Sequence, residues 1–140
     1  IQKAIGLRGI IFEGELKFTK QQLSSFFEVS DRTINSCLLR NEKELRDNGY
    51  EVIVGNRLKD FKLAFAINDD REVNFLIKSN KLGIFNFRAF INIAMLLSKS
   101  ERAREVRSLV LDIVIDTINK RTGETQNISI NAMKILYLIC

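Results

Sequence analysis

The segment FEVSDRTINSCLL, residues 27–39, decides how the N-terminal half of this 140-residue chain folds. Apolar residues lie on both sides of a polar run, at Phe27, Val29, Ile34 and Cys37. A continuous helix would have to bury Ser30 or interrupt its apolar stripe there. A turn instead places Ser30 at a helix N-terminus, where its hydroxyl can accept a hydrogen bond from a free N–H group. The segment therefore predicts two helices joined by a tight turn.

Local capping signals set the limits of these two helices. Thr19 and Gln22 have the spacing of a capping box, which predicts that the first helix begins at Lys20. Ser30 is expected to cap a second helix that begins at Asp31 and runs to an Asn-Gly stop at residues 48–49. The apolar positions expected to pack the two helices together are Leu23, Phe27, Val29, Ile34 and Cys37, with small Ser24 at the close approach.

This spacing resembles the helix-turn-helix of DNA-binding proteins, in the segment LSSFFEVSDRTINSCL. Glu28 stands where that pattern usually has a glycine in a left-handed turn, a difference that costs about 1 kcal/mol. If the second helix enters a major groove, its leading side chains face base edges, and Arg40 can reach a phosphate. The residues expected to contact bases are Arg32, Thr33, Asn35 and Ser36. The alternative is that all of them form a solvated helix face.

Extended runs flank the helix pair. GIIFEGELKF is typical of a hairpin that turns at Glu13-Gly14. After the second helix, YEVIVGNRLKDFKLAF predicts a two-stranded wing that turns at Gly55-Asn56. Side chains at or near the wing tip could touch the DNA backbone or minor groove, or could equally be the lysines of a plain sheet edge. These residues are Asn56, Arg57, Lys59 and Lys62.

The second half is predicted to form a helical lobe. Residues 66–75 are polar enough to be a loop or a boundary, and LIKSNKLG could supply a short strand. A helix is expected from about Phe85 or Asn86, followed by a new helix start at Ser98 to Glu101. The long helix that follows carries a wide apolar stripe, so most of its second half is expected to be buried in a core or in contact with another copy. The tail, residues 124–140, could be helix or strand.

Composition narrows the class of protein. The chain is 46% hydrophobic and 28% charged and has no apolar run of about 18 residues, so we expect a soluble protein. Two cysteines, Cys37 and Cys140, do not make a disulfide framework, which favours a reducing cytoplasm. The net charge of +5 is compatible with nucleic acid but is shared by many other proteins.

Catalytic chemistry finds little support among the residues. The chain has no histidine, hence no imidazole base and no Cys/His metal set, and its glycines form no phosphate-binding loop. The acidic pairs Asp69-Asp70 and Asp112/Asp116 are more typical of a solvated loop and a helix surface than of a metal site. We therefore expect no enzyme activity, no metal and no cofactor.

The order of hairpin, helix-turn-helix, NGYEVIVGNRLKDFKL and LGIFNFRAFINIAMLLSKSERAREVRSLVLDIVIDTINKRTG looks like the N-terminal DNA-binding region of bacterial virulence proteins of the RhuM type and of phage antirepressor-like proteins. Some such regions precede a death-on-curing (Fic-type) toxin domain, whose histidine signature this chain lacks. The resemblance covers about Gly9 to Gly123. It implies a DNA-binding module of a bacterial or prophage-associated protein, without catalysis in this portion.

Together these observations predict a mostly α fold with a small β component. A winged helix-turn-helix over residues 1–65 is followed by a helical lobe over 66–140. The expected function is sequence-specific binding of double-stranded DNA in transcription regulation, by a cytoplasmic homodimer, with a downstream effector domain or partner protein as a further expectation. The alternative is a protein-interaction or dimerisation module of a toxin-antitoxin or virulence-associated protein that does not bind DNA.

Overall fold

The structure, a computed structural model, describes residues 8–68 and 78–125. Within these residues it contains six helices and four short strands, so the expected mostly helical fold with a small β component is confirmed. In chain order the elements are β1 (Ile10–Phe12), β2 (Glu15–Thr19), α1 (Lys20–Phe27), α2 (Asp31–Arg40), α3 (Glu42–Asp47), β3 (Tyr50–Val54), α4 (Gly55–Asn68), β4 (Lys81–Asn86), α5 (Phe87–Leu96) and α6 (Glu101–Thr125). None of the described helices is long and apolar enough to cross a membrane.

The four strands form one antiparallel sheet in the order β1-β2-β4-β3. The expected hairpin joins β1 to β2 through Glu13 and Gly14, which both have positive φ, as the tightest hairpin turns require. β4 lies between β2 and β3, and its Phe85 pairs with Phe18 on one side and Tyr50 on the other. Strands from both predicted parts, 1–65 and 66–140, therefore share one sheet.

Helices cover both faces of this sheet. Because side chains alternate along a strand, Phe85 and the adjacent Ile84 point to opposite faces. The face with Phe85 packs against α1, α2, α3, α5 and α6, and its buried residues include Phe18, Leu23, Phe27, Ile34, Cys37, Leu45, Tyr50, Phe90, Ala103 and Val106. The face with Ile84 packs against α4, and its buried residues are Ile10, Phe12, Ile53, Leu58, Phe61 and Phe65. α4 and the α1–α2 pair thus lie on opposite sides of the sheet.

The predicted wing is wrong. The first run of YEVIVGNRLKDFKLAF is β3, but the second run is the helix α4, and β3 pairs with β4 instead. Leu58, Phe61 and Phe65 recur at intervals of three and four and are all buried, which only a helix allows on one face. Leu63 points outward and is 63% exposed. Burial of three large side chains against the sheet decides in favour of the helix.

The predicted second helix, from Asp31 to Asn48, is broken at Asn41. The Asn41 side-chain Nδ2 donates to the Cys37 carbonyl at 2.9 Å, and the Asn41 backbone N–H donates to the same carbonyl at 3.1 Å. The Asn41 backbone is non-helical, with φ −131° and ψ 28°, so α2 ends at Arg40 and α3 is a separate short helix. The expected stop follows α3, where Gly49 has a φ of +113°.

The second half differs from expectation mainly in α6. β4 forms within the run LIKSNKLG and beyond it, and α5 begins at Phe87 with Asn86 as its N-cap. α6 begins at Glu101, and its second half was expected to be buried. Within the described part of α6, however, Ile118 is buried while four apolar residues are exposed: Leu109, Leu111, Ile113 and Ile115. Residues 126–140 of the tail, with Cys140, and Asp69-Asp70 lie outside the described residues.

Candidate nucleic-acid interface

The capping box at the start of α1 forms as the sequence predicts. The Thr19 hydroxyl Oγ1 accepts from the Gln22 backbone N–H at 3.2 Å, and Gln22 Oε1 accepts from the Thr19 backbone N–H at 2.9 Å. Thr19 is also the last residue of β2. The reciprocal pair therefore fixes the direction in which α1 leaves the sheet.

The turn between α1 and α2 contains the left-handed residue that its spacing requires. Glu28 has φ 56° and ψ 44°, so this position adopts the glycine-like conformation with a glutamate. The Val29 backbone N–H donates to the Ser24 carbonyl at 3.1 Å and closes the end of α1. Ser30 then caps α2, because its Oγ accepts from the Thr33 backbone N–H at 3.1 Å. The predicted bend is confirmed.

The inner faces of the two helices are packed together. Leu23 and Phe27 of α1 are buried with Ile34 and Cys37 of α2. Ser24 Oγ lies 2.6 Å from Asp31 Oδ1, which ties the start of α2 to the middle of α1. The Asp31 carboxylate accepts a hydrogen bond from a hydroxyl within the motif, so Asp31 has a structural role at the start of α2. Burial raises the pKa of the Cys37 thiol, as suits a residue that packs in the core.

The outer face of α2 is open. All five residues expected to contact DNA from this helix are exposed: Arg32, Thr33, Asn35, Ser36 and Arg40. Leu39 lies among them and is 78% exposed, a feature that the sequence reading missed. Its position, three residues after Ser36 and seven after Arg32, could have indicated that it shares their face. The structure thus brings together one polar surface with a single apolar side chain in it.

The start of α6 holds the end of α1. Ser100 Oγ donates to the Phe27 carbonyl at 2.7 Å, and the same oxygen accepts from the Ala103 backbone N–H at 3.1 Å. The Arg102 guanidinium lies 4.6 Å from the centre of the Phe26 ring. Side chains from the C-terminal half therefore support the motif from behind, at the end of α1, and leave the outer face of α2 uncovered.

The residues expected at a wing tip lie elsewhere. Asn56, Arg57 and Lys59 are in the first turns of α4, on the side of the sheet opposite to α2. Arg57 is already engaged by two carboxylates, because its NH2 lies 2.5 Å from Glu13 Oε1 and its NH1 lies 2.7 Å from Glu51 Oε1. These hydrogen bonds raise the pKa of Arg57, and the bond from Arg57 lowers the pKa of Glu13. The structure does not place these three residues on the surface formed by α2.

The charged side chains at the start of α6 form local contacts. Arg102 pairs with Glu105 at 3.4 Å, and Arg107 donates to the carbonyls of Ala94 and Leu97 at 2.7 and 2.8 Å. Within residues 8–68 and 78–125, no three histidine, cysteine, aspartate or glutamate side chains are grouped so that they could hold a metal ion.

Comparisons of the chain with protein-family models, with curated protein sequences and with solved structures gave no match. The resemblance to the RhuM-type and antirepressor-like regions therefore stays a prediction from the sequence. The case for a function depends on the geometry of α1, α2 and their surroundings.

Proposed function

We propose that this chain binds double-stranded DNA by inserting α2 into the major groove. The observation that carries the proposal is the division of α2 into two faces. Ile34 and Cys37 are buried against the core, while the opposite face exposes a row of hydrogen-bonding side chains. A helix held from behind and open in front is the arrangement by which helix-turn-helix proteins read base edges.

The exposed side chains have the chemistry that base recognition needs. The Arg32 guanidinium can form two hydrogen bonds to guanine, and the Asn35 amide can form two to adenine. The hydroxyls of Thr33 and Ser36 can donate to or accept from either kind of base. Arg40, near the C-terminal end of α2, suits a phosphate contact. In this proposal the chain is a bacterial or prophage-associated regulator that acts in the cytoplasm. It acts by binding DNA and has no catalytic role.

Fluorescence anisotropy with labelled duplexes tests the proposal, after selection of bound sequences from a random pool. Arg32→Ala with Arg40→Ala removes two cations from α2 and should weaken binding by at least tenfold, since each bidentate base contact contributes about 1–3 kcal/mol. Lys59→Ala is the matched control, because Lys59 is exposed on α4 across the sheet. Unchanged affinity in the α2 double variant, with circular dichroism showing that it is folded, would refute the proposal.

The dependence of the binding constant on salt concentration is a second test of the same complex. Each phosphate that the protein neutralises should contribute a slope of about −0.9 in log K against log salt. The wild-type chain should therefore show a steep slope, and Arg40→Ala should reduce it by about one phosphate equivalent. A flat slope would indicate an interface without phosphate contacts.

A second candidate function, protein association, is favoured by the exposed apolar side chains of α6. Leu109 and Ile113 are four residues apart and lie on the same side of the helix, and both are exposed. Leu109→Glu with Ile113→Glu should abolish self-association in sedimentation velocity if this side pairs with another copy. Ser108→Glu adds a charge at an exposed polar position of the same helix and is the control.

A further inference from the structure

A cleft of about 520 Å³ lies beside the recognition helix α2. It is lined by the N-terminal turn of α1, the side of α2 that carries Asp31 and Asn35, α3, and the adjacent strands β3 and β4. Its volume is within the range of small-molecule sites, which are roughly 300–1,000 Å³. The cleft borders the proposed DNA-binding surface at Asn35, which lines it, while Arg32, Thr33, Ser36 and Arg40 lie outside the cleft.

Tyr50 provides a buried polar group in the cleft. Its side chain is 7% exposed, and its hydroxyl lies across Gly83, where even an added Cβ would come within 2.6 Å of Oη. Among residues 8–68 and 78–125, no group forms a hydrogen bond with this hydroxyl. Buried hydroxyls are normally hydrogen-bonded to protein or to ordered water, so this hydroxyl is available to a molecule in the cleft. Burial also raises the pKa of Tyr50, so the phenol is neutral at pH 7 and can donate.

The charges around the cleft favour an anion. Arg46 is paired with Glu42 at 3.1 Å, and the Asp31 carboxylate already accepts from Ser24. Lys20 and Lys81 also line the cleft, and within the described part of the chain neither forms an ion pair. The first N–H groups of α1 lack acceptors inside the helix and add partial positive charge at the same end. Counting Lys20, Arg46 and Lys81 against Asp31 and Glu42, the charged side chains that line the cleft carry a net charge of +1.

The apolar side chains that line the cleft favour an anion that also has an apolar organic part. The Tyr50 ring and Val52 form one wall, and the Tyr50 ring lies over Gly83, which has no side chain to displace it. A flat group could pack against this wall, between it and α2, with a charged end near Lys20 and Lys81. The Tyr50 hydroxyl would then face the ligand as an orienting contact.

We propose that this cleft binds a small organic anion, a carboxylate on a flat apolar body. The carboxylate lies between the Lys20 and Lys81 ammonium groups, and a polar group or the π face of the body faces Tyr50 Oη. Asp31 and Asn35 of α2 line the same cleft, so the ligand contacts the recognition helix directly. Any effect of the ligand on DNA affinity rests on the proposed function, whereas ligand binding itself does not.

Three probes separate the features of the proposed ligand: benzoate has the charge and the flat body, inorganic phosphate has only the charge, and benzyl alcohol has only the body. The expected result in an NMR titration of the ¹⁵N-labelled full chain is saturable movement of the Gly83 and Gln21 amide signals with benzoate, at concentrations where the other two cause little. Absence of saturable shifts with benzoate would overturn the proposal. So would equal binding of phosphate or benzyl alcohol.

Variants locate the site without reference to DNA. Tyr50→Phe keeps the ring and removes the hydroxyl, and should weaken benzoate binding about twofold to threefold, as expected for one lost O–H···π contact. Lys20→Gln should weaken it by a similar factor, whereas Lys43→Gln, on the exposed side of α3 outside the cleft, should leave it unchanged. Unchanged binding in both cleft variants would overturn the assignment. Since the titration contains no DNA, a failure of DNA binding would leave this result standing.

Discussion

Ser100 donates a hydrogen bond to the backbone carbonyl of Phe27, 73 residues earlier in the chain, at an oxygen-to-oxygen distance of 2.7 Å. The contact is buried and joins the start of α6 to the last residue of α1. One hydroxyl thus caps the long helix and also satisfies a carbonyl at the turn of the helix-turn-helix motif. The motif depends on a residue that lies far outside it in the sequence.

Ser100→Ala should therefore destabilise the fold by about 1–3 kcal/mol, because a buried carbonyl loses its donor and α6 loses its cap. Ser98→Ala is the control, since Ser98 lies two residues earlier, is exposed and is outside α6. Urea unfolding followed by circular dichroism measures both variants. Equal stabilities for the two variants would contradict the role given to Ser100.

Glu28→Gly should stabilise the protein by up to about 1 kcal/mol, because Glu28 is held at positive φ, which costs a side-chain-bearing residue more than glycine. Ser25→Gly, at an exposed position within α1, should instead destabilise by a few tenths to about 1 kcal/mol. Thermal unfolding of the two variants under the same conditions distinguishes the cases. A loss of stability in Glu28→Gly would mean that residue 28 is not in the left-handed region.

Phe61→Ala and Leu63→Ala together distinguish the helix α4 from the hairpin strand expected from the sequence. In a strand Phe61, Leu63 and Phe65 would share one face, whereas in the helix only Leu63 points outward. Phe61→Ala should cost about 3–5 kcal/mol and Leu63→Ala less than about 0.5 kcal/mol. Similar large losses from both substitutions would favour the strand.

Acid should weaken the contact between α4 and the β1–β2 turn. The hydrogen bond from Arg57 lowers the pKa of Glu13 in the folded chain below its ordinary value of 4.5. Ionised Glu13 therefore adds stability that is complete above pH 4.5 and is lost as the pH falls through the lower, folded-state pKa. Glu13→Gln should lower the melting temperature slightly at pH 7, and should not lower it at a pH below the folded-state pKa of Glu13.

A double-mutant cycle checks the source of this effect. In an Arg57→Gln background, the pH-dependent effect of Glu13→Gln on the melting temperature should become much smaller, because the main partner that lowers the carboxyl pKa is gone and the weaker effect of the Lys17 charge remains. A pH-dependent difference as large as in the wild-type background would contradict the role given to Arg57.

Features set by neighbours in the sequence could be predicted. The Thr19–Gln22 capping box, the Ser30 cap and the Glu13-Gly14 hairpin each depend on residues within three or four positions, so their spacing is visible without a fold. The exposed face of α2 could be predicted for the same reason, once Ile34 and Cys37 had been assigned to the buried side.

The predictions that were wrong concern parts of the fold that depend on contacts between distant segments of the chain. In YEVIVGNRLKDFKLAF the apolar residues fit both periods, because Phe61 and Phe65 belong to an alternating set and also to a helical one. The choice depends on β4, which takes the place beside β3 that the predicted second wing strand would have filled. The cleft at Tyr50 could not be predicted either, since its walls come from α1, α2, α3 and two strands.

The Ser100–Phe27 contact and the central position of β4 set an order of events during protein synthesis. Residues of α1 and α2 leave the ribosome well before β4 and the start of α6, so the early chain lacks both its middle strand and the hydroxyl that closes the turn. Long-range closure of this kind makes folding slow relative to helix formation. A nascent chain that ends before residue 100 should therefore hold α2 loosely against the rest of the fold.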